Sequence, residues 1–567
     1  MNKIDDKKWI SNIFYIGLFI LGIVLIFTSG NTPRADEWDT PGDYLVAKAN
    51  GKANFSDLFR QHNESRVIFA QIFTELIARL IGWNQHFFHF LNYCLLALTA
   101  YIFLHLTFKK FETKMSFSAL LVLSGAVLVL LSPVQWRNIL YSGQIITIVI
   151  PFLLTLGIYI NFSEKFSLTS KYFLASILSL VSTYSFANGM LLWILLWPGM
   201  YGMVSYGRFK LCRKEILLSF LFISFFIFNC LIYYYDYKSP DNHPSLQAGL
   251  KKPWQVLVFF STWLGSPIFP EHVHLWLKQK NKLPFVWCGR FSFLAAIFLI
   301  FYFFNNIKYL WNSRLLIKIF PFLILVSYSF ISGLAITIAR VGFGMFGNSS
   351  RYATVAIPFY LGIAGIISCV NMEKKHENWI EKGLAFFFTI AVLLSFSTGV
   401  ISCVIDKNDS DQAALSLQFI ELNSKNPLLQ NIHPNVSHLC KVRHELISKK
   451  ILSRPESLEW VNTTEIITNK NSTFTFSIKD TELEIVIKGL VASGELTFGH
   501  KDFLILSRSE IIQEGIPILA PTKFNYPHLP KGSFEIRINK GAPFKIPEKI
   551  NLFIVKPELK QILLLNG

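Results

Sequence analysis

Long apolar runs separated by short polar segments dominate the first seven-tenths of this chain. They fall near residues 9–29, 85–107, 116–132, 144–160, 172–187, 189–205, 216–235, 285–304, 317–338, 353–371 and 383–404. A run of about 17 to 22 residues crosses a hydrocarbon core about 30 Å thick, so the pattern predicts eleven transmembrane helices. The first run has no small-residue cleavage pattern behind it, because Ser29, Gly30, Asn31, Thr32 and Pro33 follow, and it is read as a retained span.

Two apolar segments have a different pattern. In 65–81 the positions Ile68, Phe69, Ile72, Phe73, Leu76, Ile77, Leu80 and Ile81 repeat at helical spacing, with Gln71, Thr74, Glu75 and Arg79 on the other face. That periodicity predicts an amphipathic helix lying in the membrane interface. The segment Trp254–Pro270 is short, contains Gly265 and Pro267, and reads as interfacial or re-entrant. After residue 404 the character changes. Residues 405–465 read as a helical connector, and 466–567 as a β-rich accessory domain, a small sandwich or jelly roll. Its alternating runs are Phe474–Ile478, Leu483–Ile487, Leu496–Phe498, Phe503–Leu506, Phe534–Ile538 and Leu552–Val555.

Composition agrees with the spans: 52% of the 567 residues are hydrophobic, 54 are Phe and only 16% are charged. A freely soluble enzyme cannot assemble a water-facing surface from so few charges. The net charge of +18 would suggest nucleic acid, but after residue 405 there are 20 Lys and Arg against 18 Asp and Glu, leaving 34 against 18 in the membrane part. The excess therefore belongs to loops at the bilayer, and no nucleic-acid partner is expected. With the N-terminus in the cytoplasm, the short inner loops carry 15 Lys and Arg and the short outer loops 3. Eleven spans then place the loops 30–84 and 236–284 and everything after 405 outside. The seven cysteines show no ligand spacing, and Cys403 and Cys440 are a weak candidate for a disulfide.

Polar residues on the outer side are few and therefore informative. Asp36, Glu37 and Asp39 follow span one in Ala35-Asp36-Glu37-Trp38-Asp39. Glu64 stands in Gln61-His62-Asn63-Glu64-Ser65-Arg66 before the interfacial helix. Carboxylates held at a membrane surface can be partly desolvated and so suit a general base, although Asp36 and Asp39 could equally cap a turn and Glu64 open a helix. Arg137, Arg340 and Arg351 lie on the side otherwise depleted of positive charge and suit a phosphate, the alternative being snorkelling to lipid headgroups. Asn188-Gly189 reads first as a tight hairpin tip. His272 and His274 read as loop histidines rather than metal ligands.

The ordered motifs ADEWD, QHNESR before an amphipathic helix, SPVQWRN, SFANG and ARVGF with SSRY resemble bacterial membrane proteins of the GT-C glycosyltransferase superfamily over residues 9–404. The resemblance implies a GT-C-like transmembrane domain at 1–404 in the bacterial plasma membrane, with its active site on the extracytoplasmic face. It implies transfer of a sugar from a polyprenyl-phosphate donor to a cell-envelope glycan, lipid or protein. Asp36 would be the catalytic base, with Glu37 or Asp39 as alternatives, and Glu64 a second acid. Arg340, Arg351 and, more weakly, Arg137 would hold the lipid phosphate. His62, Arg66, Gln135, Asn188 and Tyr352 would line the cavity. A divalent metal between Asp36 and Glu64 is left open, since two carboxylates suit a hard cation without establishing one. A lipid-linked oligosaccharide polymerase or ligase, a transporter and a non-catalytic membrane scaffold remain the competing readings.

Overall fold

A computed structural model describes residues 6–108, 115–206, 211–238, 251–269, 313–344, 347–374, 379–418, 420, 429–430 and 432–452, and the backbone of strands between 466 and 566. The expected span 285–304, the strand Leu496–Phe498, and His272 and His274 lie outside these residues. The chain is a multi-pass helical membrane protein. Nine helices among the described residues are long and apolar enough to cross a bilayer: 6–28, 85–108, 117–140, 142–162, 187–205, 213–234, 315–343, 350–373 and 379–417. Each coincides with an expected span. The expected span 172–187 appears as a helix at Leu168–Thr183, whose 16 residues make it shorter than the others. The segment expected to be re-entrant forms a 12-residue helix, Pro253–Leu264, about 18 Å long, which is too short to cross.

By internal contacts the chain divides into two units. The first comprises 1–27, 54–72 and 87–403; the second comprises 28–53, 73–86 and 404–567. In the first unit the most extensive helix pairing among the described residues joins Ser313–Arg340 to Ser350–Lys374. The cause is in the sequence: a Cβ on Gly362 would lie 2.5 Å from the Phe322 carbonyl oxygen, and one on Gly365 would lie 2.1 Å from the Phe322 ring. Glycine permits this approach, and packing of close backbones is what holds helices together in lipid. Ser329 Oγ adds a hydrogen bond to the Val355 carbonyl at 2.7 Å. Where Ser116 caps the helix Phe117–Leu130, its backbone N–H donates to Asn371 Oδ1 at 2.9 Å, and Asn371 Nδ2 donates to the fully buried Glu381 at 2.6 Å.

The amphipathic segment forms a helix at Ile68–Ile81. Its polar Gln71 and Thr74 are buried against protein, whereas Ile72, Leu76, Leu80 and Ile81 face outward, Leu80 at 69% exposure. An apolar face turned away from protein is what an interfacial helix requires.

The second unit carries a seven-stranded sheet of order Ile516–Leu519, Phe503–Ser507, Asn551–Lys556, Gln561–Asn566, Ile466–Asp480, Glu484–Ala492, Ser533–Asn539. Only the pairing of Ile466–Asp480 with Gln561–Asn566 is parallel, and a bulge interrupts it between Asn469 and Thr473. Five expected strands fall in this sheet; 516–519 and 561–566 are additional. Cys403 and Cys440 are not joined by the disulfide considered for them.

Candidate functional site

In the first unit, residues 61–66 form a tight hairpin pairing Gln61 with Arg66 and His62 with Ser65. Asn63, at φ 50°, takes the left-handed conformation that asparagine tolerates, and Glu64 sits beside it at the tip. Glu64 therefore occupies the turn immediately ahead of Ser65–Arg66, rather than the start of the helix. Both of its carboxylate oxygens lie 2.7 Å from Arg340 Nη2, with the two side chains each 28% exposed. Arg340 also stands 5.5 Å over the Phe343 ring.

The hairpin is fixed from below by Arg66. Its guanidinium donates to the carbonyls of Phe59, Tyr233 and Tyr235, while Tyr233 Oη donates to the Glu64 carbonyl at 3.1 Å. Arg66 is thus a buried brace and not a cavity-facing cation. Ser65 Oγ accepts from the Ala187 N–H at 3.1 Å. The neighbouring Asn188 donates to Tyr328 Oη at 3.0 Å and to Ser332 Oγ at 3.4 Å. Gly189 makes the turn possible, because a Cβ there would meet the Ser182 carbonyl oxygen at 2.0 Å. The hairpin is thereby tied to Arg340 through Glu64 and, through Ser65 and the Ala187 N–H, to the turn that carries Asn188. His62 belongs to the same hairpin, with Nε2 3.3 Å from Asn63 Nδ2. Tyr237, outside the spans, has its phenol pushed up by burial and by the nearby Glu64 carboxylate.

A second group in the same unit surrounds Thr354. Its hydroxyl donates to Gln135 Oε1 at 2.6 Å and accepts from Asn138 Nδ2 at 2.6 Å; the same amide donates to the Arg351 carbonyl at 2.9 Å. Gln135 Nε2 donates to the Leu130 carbonyl. Gln135 is buried and bonded at both its amide nitrogen and its oxygen, holding structure together. The network sets Arg351, the exposed second residue of its helix, beside the segment that carries Arg137. Arg137 lies 5.1 Å over the Trp136 ring, and Tyr352 packs 6.2 Å from Phe259. Among the described residues Arg351 has no carboxylate partner within ion-pair distance, so its charge is available to a ligand. Thr354 and Asn138 escaped sequence reasoning because neither is charged, and only the fold brings them together.

In the second unit the three acids of ADEWD have separate environments. Ala35 has φ 52°, and its N–H donates to the Ile432 carbonyl at 2.8 Å; a β-carbon in this region costs on the order of 1 kcal/mol. Asp36 follows and is exposed. Glu37 is buried and accepts from the Arg34 backbone N–H at 2.8 Å. Arg34 in turn donates from Nη2 to both oxygens of the buried Asp406 at 2.8 and 2.9 Å. Asp39 stands 3.2 Å from the Nε2 atoms of His433 and His438. Of the three, Asp36 alone combines exposure with a position next to a strained residue. Arg34, Asp406, His433 and His438 were not singled out from sequence; Asp406, a carboxylate just beyond a span, was the one available signal.

The two carboxylates considered for a divalent ion, Asp36 and Glu64, belong to different units. Compared with protein-family models, with curated proteins and with solved structures, the chain matches none of them.

Proposed function

We propose that this protein is a membrane glycosyltransferase of GT-C type that moves a sugar from a polyprenyl-phosphate donor to an extracytoplasmic acceptor in the bacterial plasma membrane. In this reading Asp36 accepts the proton of the acceptor hydroxyl, and guanidinium groups stabilise the departing phosphate as its charge develops. The sheet of 466–566, taken as a sandwich, recruits the acceptor. Arg351 is the best-suited phosphate ligand, with Arg137 on the adjoining segment, because Arg340 is already neutralised by Glu64. The observation that supports the reading most is the ion pair of Glu64 with Arg340 on the hairpin that Arg66 braces, beside the end of a span.

The test is to incubate purified protein with a panel of polyprenyl-phosphate sugars and follow sugar release or transfer. One donor is expected to respond. Asp36→Asn should lower turnover with that donor by about 100-fold or more, the contribution of a general base. Arg351→Ala should chiefly weaken donor binding. Silence across the panel, or an Asp36→Asn enzyme as active as wild type, rejects the assignment.

A further inference from the structure

Four side chains of the second unit form a group that the proposed transfer chemistry does not use. Asp39 and Asp43 stand four residues apart, Asp43 opening the helix Asp43–Ala49. Facing them are His433 and His438, at the start of the helix Val436–Ser448, where Asn435 caps by accepting from the His438 N–H at 3.0 Å. His433 Nε2 lies 3.2 Å from both Asp39 oxygens, and His438 Nε2 lies 3.2 Å from Asp39 Oδ1 and 3.6 Å from Asp43 Oδ1. We propose that Asp39, Asp43, His433 and His438 form a binding site for a divalent first-row transition metal, Zn2+ foremost, which clips residues 38–49 to the helix 436–448.

The separations argue for it. Two donors bound to zinc at about 2.0–2.1 Å in tetrahedral geometry stand about 3.3–3.4 Å apart, close to the spacings found here. Imidazole nitrogen and carboxylate oxygen without thiolate suit zinc and its neighbours better than Ca2+ or Mg2+, which prefer oxygen alone. His438 Nε2 is closed off from solvent and makes no hydrogen bond, although Asp39 Oδ1 lies 3.2 Å away. A nitrogen so placed suits a ligand between the two groups.

The tautomer of His433 can also be supplied. Its Nδ1 lies 3.0 Å from the Asn435 carbonyl and 3.2 Å from the Asn435 N–H. With Nδ1 protonated and donating to that carbonyl, Nε2 presents its lone pair to a cation, the arrangement that orients most metal-bound histidines. With Nδ1 accepting from the N–H, Nε2 carries the proton and donates to Asp39. Metal binding therefore moves the His433 ring proton from Nε2 to Nδ1, with no net loss of a proton and without moving the backbone. Among the described residues no group of three or more His, Cys, Asp or Glu is placed to hold a metal ion as it stands, so the site forms only as side chains turn toward it. Asp39 and Asp43, at 47% and 37% side-chain exposure, have room to rotate inward, while His433 at 5% is held in place.

The inference stands apart from glycosyl transfer, since its test reads metal and not turnover. Full-length protein without a polyhistidine tag is stripped with EDTA in detergent and titrated with ZnCl2. Metal content and calorimetry give the stoichiometry, and Co2+ serves as a spectroscopic probe. One ion per chain, a rise in melting temperature with zinc, and the visible absorption of tetrahedral Co2+ are expected. His438→Gln should weaken binding by about tenfold or more, whereas His444→Gln, exposed on the same helix, should leave it unchanged. Should His438→Gln fail to fold, Asp43→Asn at the helix start carries the same expectation. No stoichiometric binding by the wild type, or equal binding by wild type and the folded ligand variants, overturns the proposal.

Discussion

Arg340 and Glu64 show how partly buried charges are tolerated: each finds the other, and neither stands alone. The same need organises Arg34 with Asp406 and Arg66 with three backbone carbonyls. Burial also affects an uncharged group. The Cys440 thiol is pushed up by desolvation, with Arg443 drawing it partly back. Because the folded thiol keeps its proton to higher pH than the unfolded one, its contribution to stability is present below the unfolded thiol's range. It is lost as pH rises through the folded value. Alkylation of Cys440 in native protein should accordingly begin at higher pH than in denatured protein, as a pH series of maleimide labelling would show; coincident profiles would refute this. The acids and arginines of the candidate site were legible as residue types that the bilayer excludes. Their pairings were not, since Glu64 and Arg340 are separated by 276 positions and local pattern carries no information at that range.

At the scale of elements, the spans were legible because apolar length is itself the physical requirement for crossing a bilayer. The two strands not anticipated each lack the alternating signal. Ile516–Leu519 contains Pro517, which weakens a strand reading, and it lies at the sheet edge, where proline is tolerated. Gln561–Asn566 is a continuous apolar run, as befits a strand between two neighbours. The pairing of Ser313–Arg340 with Ser350–Lys374 rests on Gly362 and Gly365. Gly362→Ala should force apart backbone, not merely side chains, and lower stability by about 1–3 kcal/mol. Gly383→Ala, inside the helix Trp379–Gln418 where an added Cβ meets nothing within 4 Å, should leave stability unchanged or raise it by up to about 1 kcal/mol. Thermal unfolding of both variants in detergent distinguishes them, and equal melting temperatures would count against close approach as the source of stability.

For the molecule as a whole, the inner excess of Lys and Arg predicts a cytoplasmic N-terminus and an external C-terminus. Alkaline phosphatase fused after residue 567 should be active in a bacterial host, and a fluorescent protein that folds only in the cytoplasm should stay dark there; the reverse would require an even number of crossings. The outward side of the helix Ile68–Ile81 has a practical consequence of its own. Ile72, Leu76 and Leu80 form apolar surface on a helix that is not one of the spans. An amphiphile that wraps only the membrane-crossing girdle leaves this stripe wet, so short-chain surfactants should yield clustered particles. Nanodiscs, which supply a headgroup layer as well as acyl tails, should keep the particles dispersed.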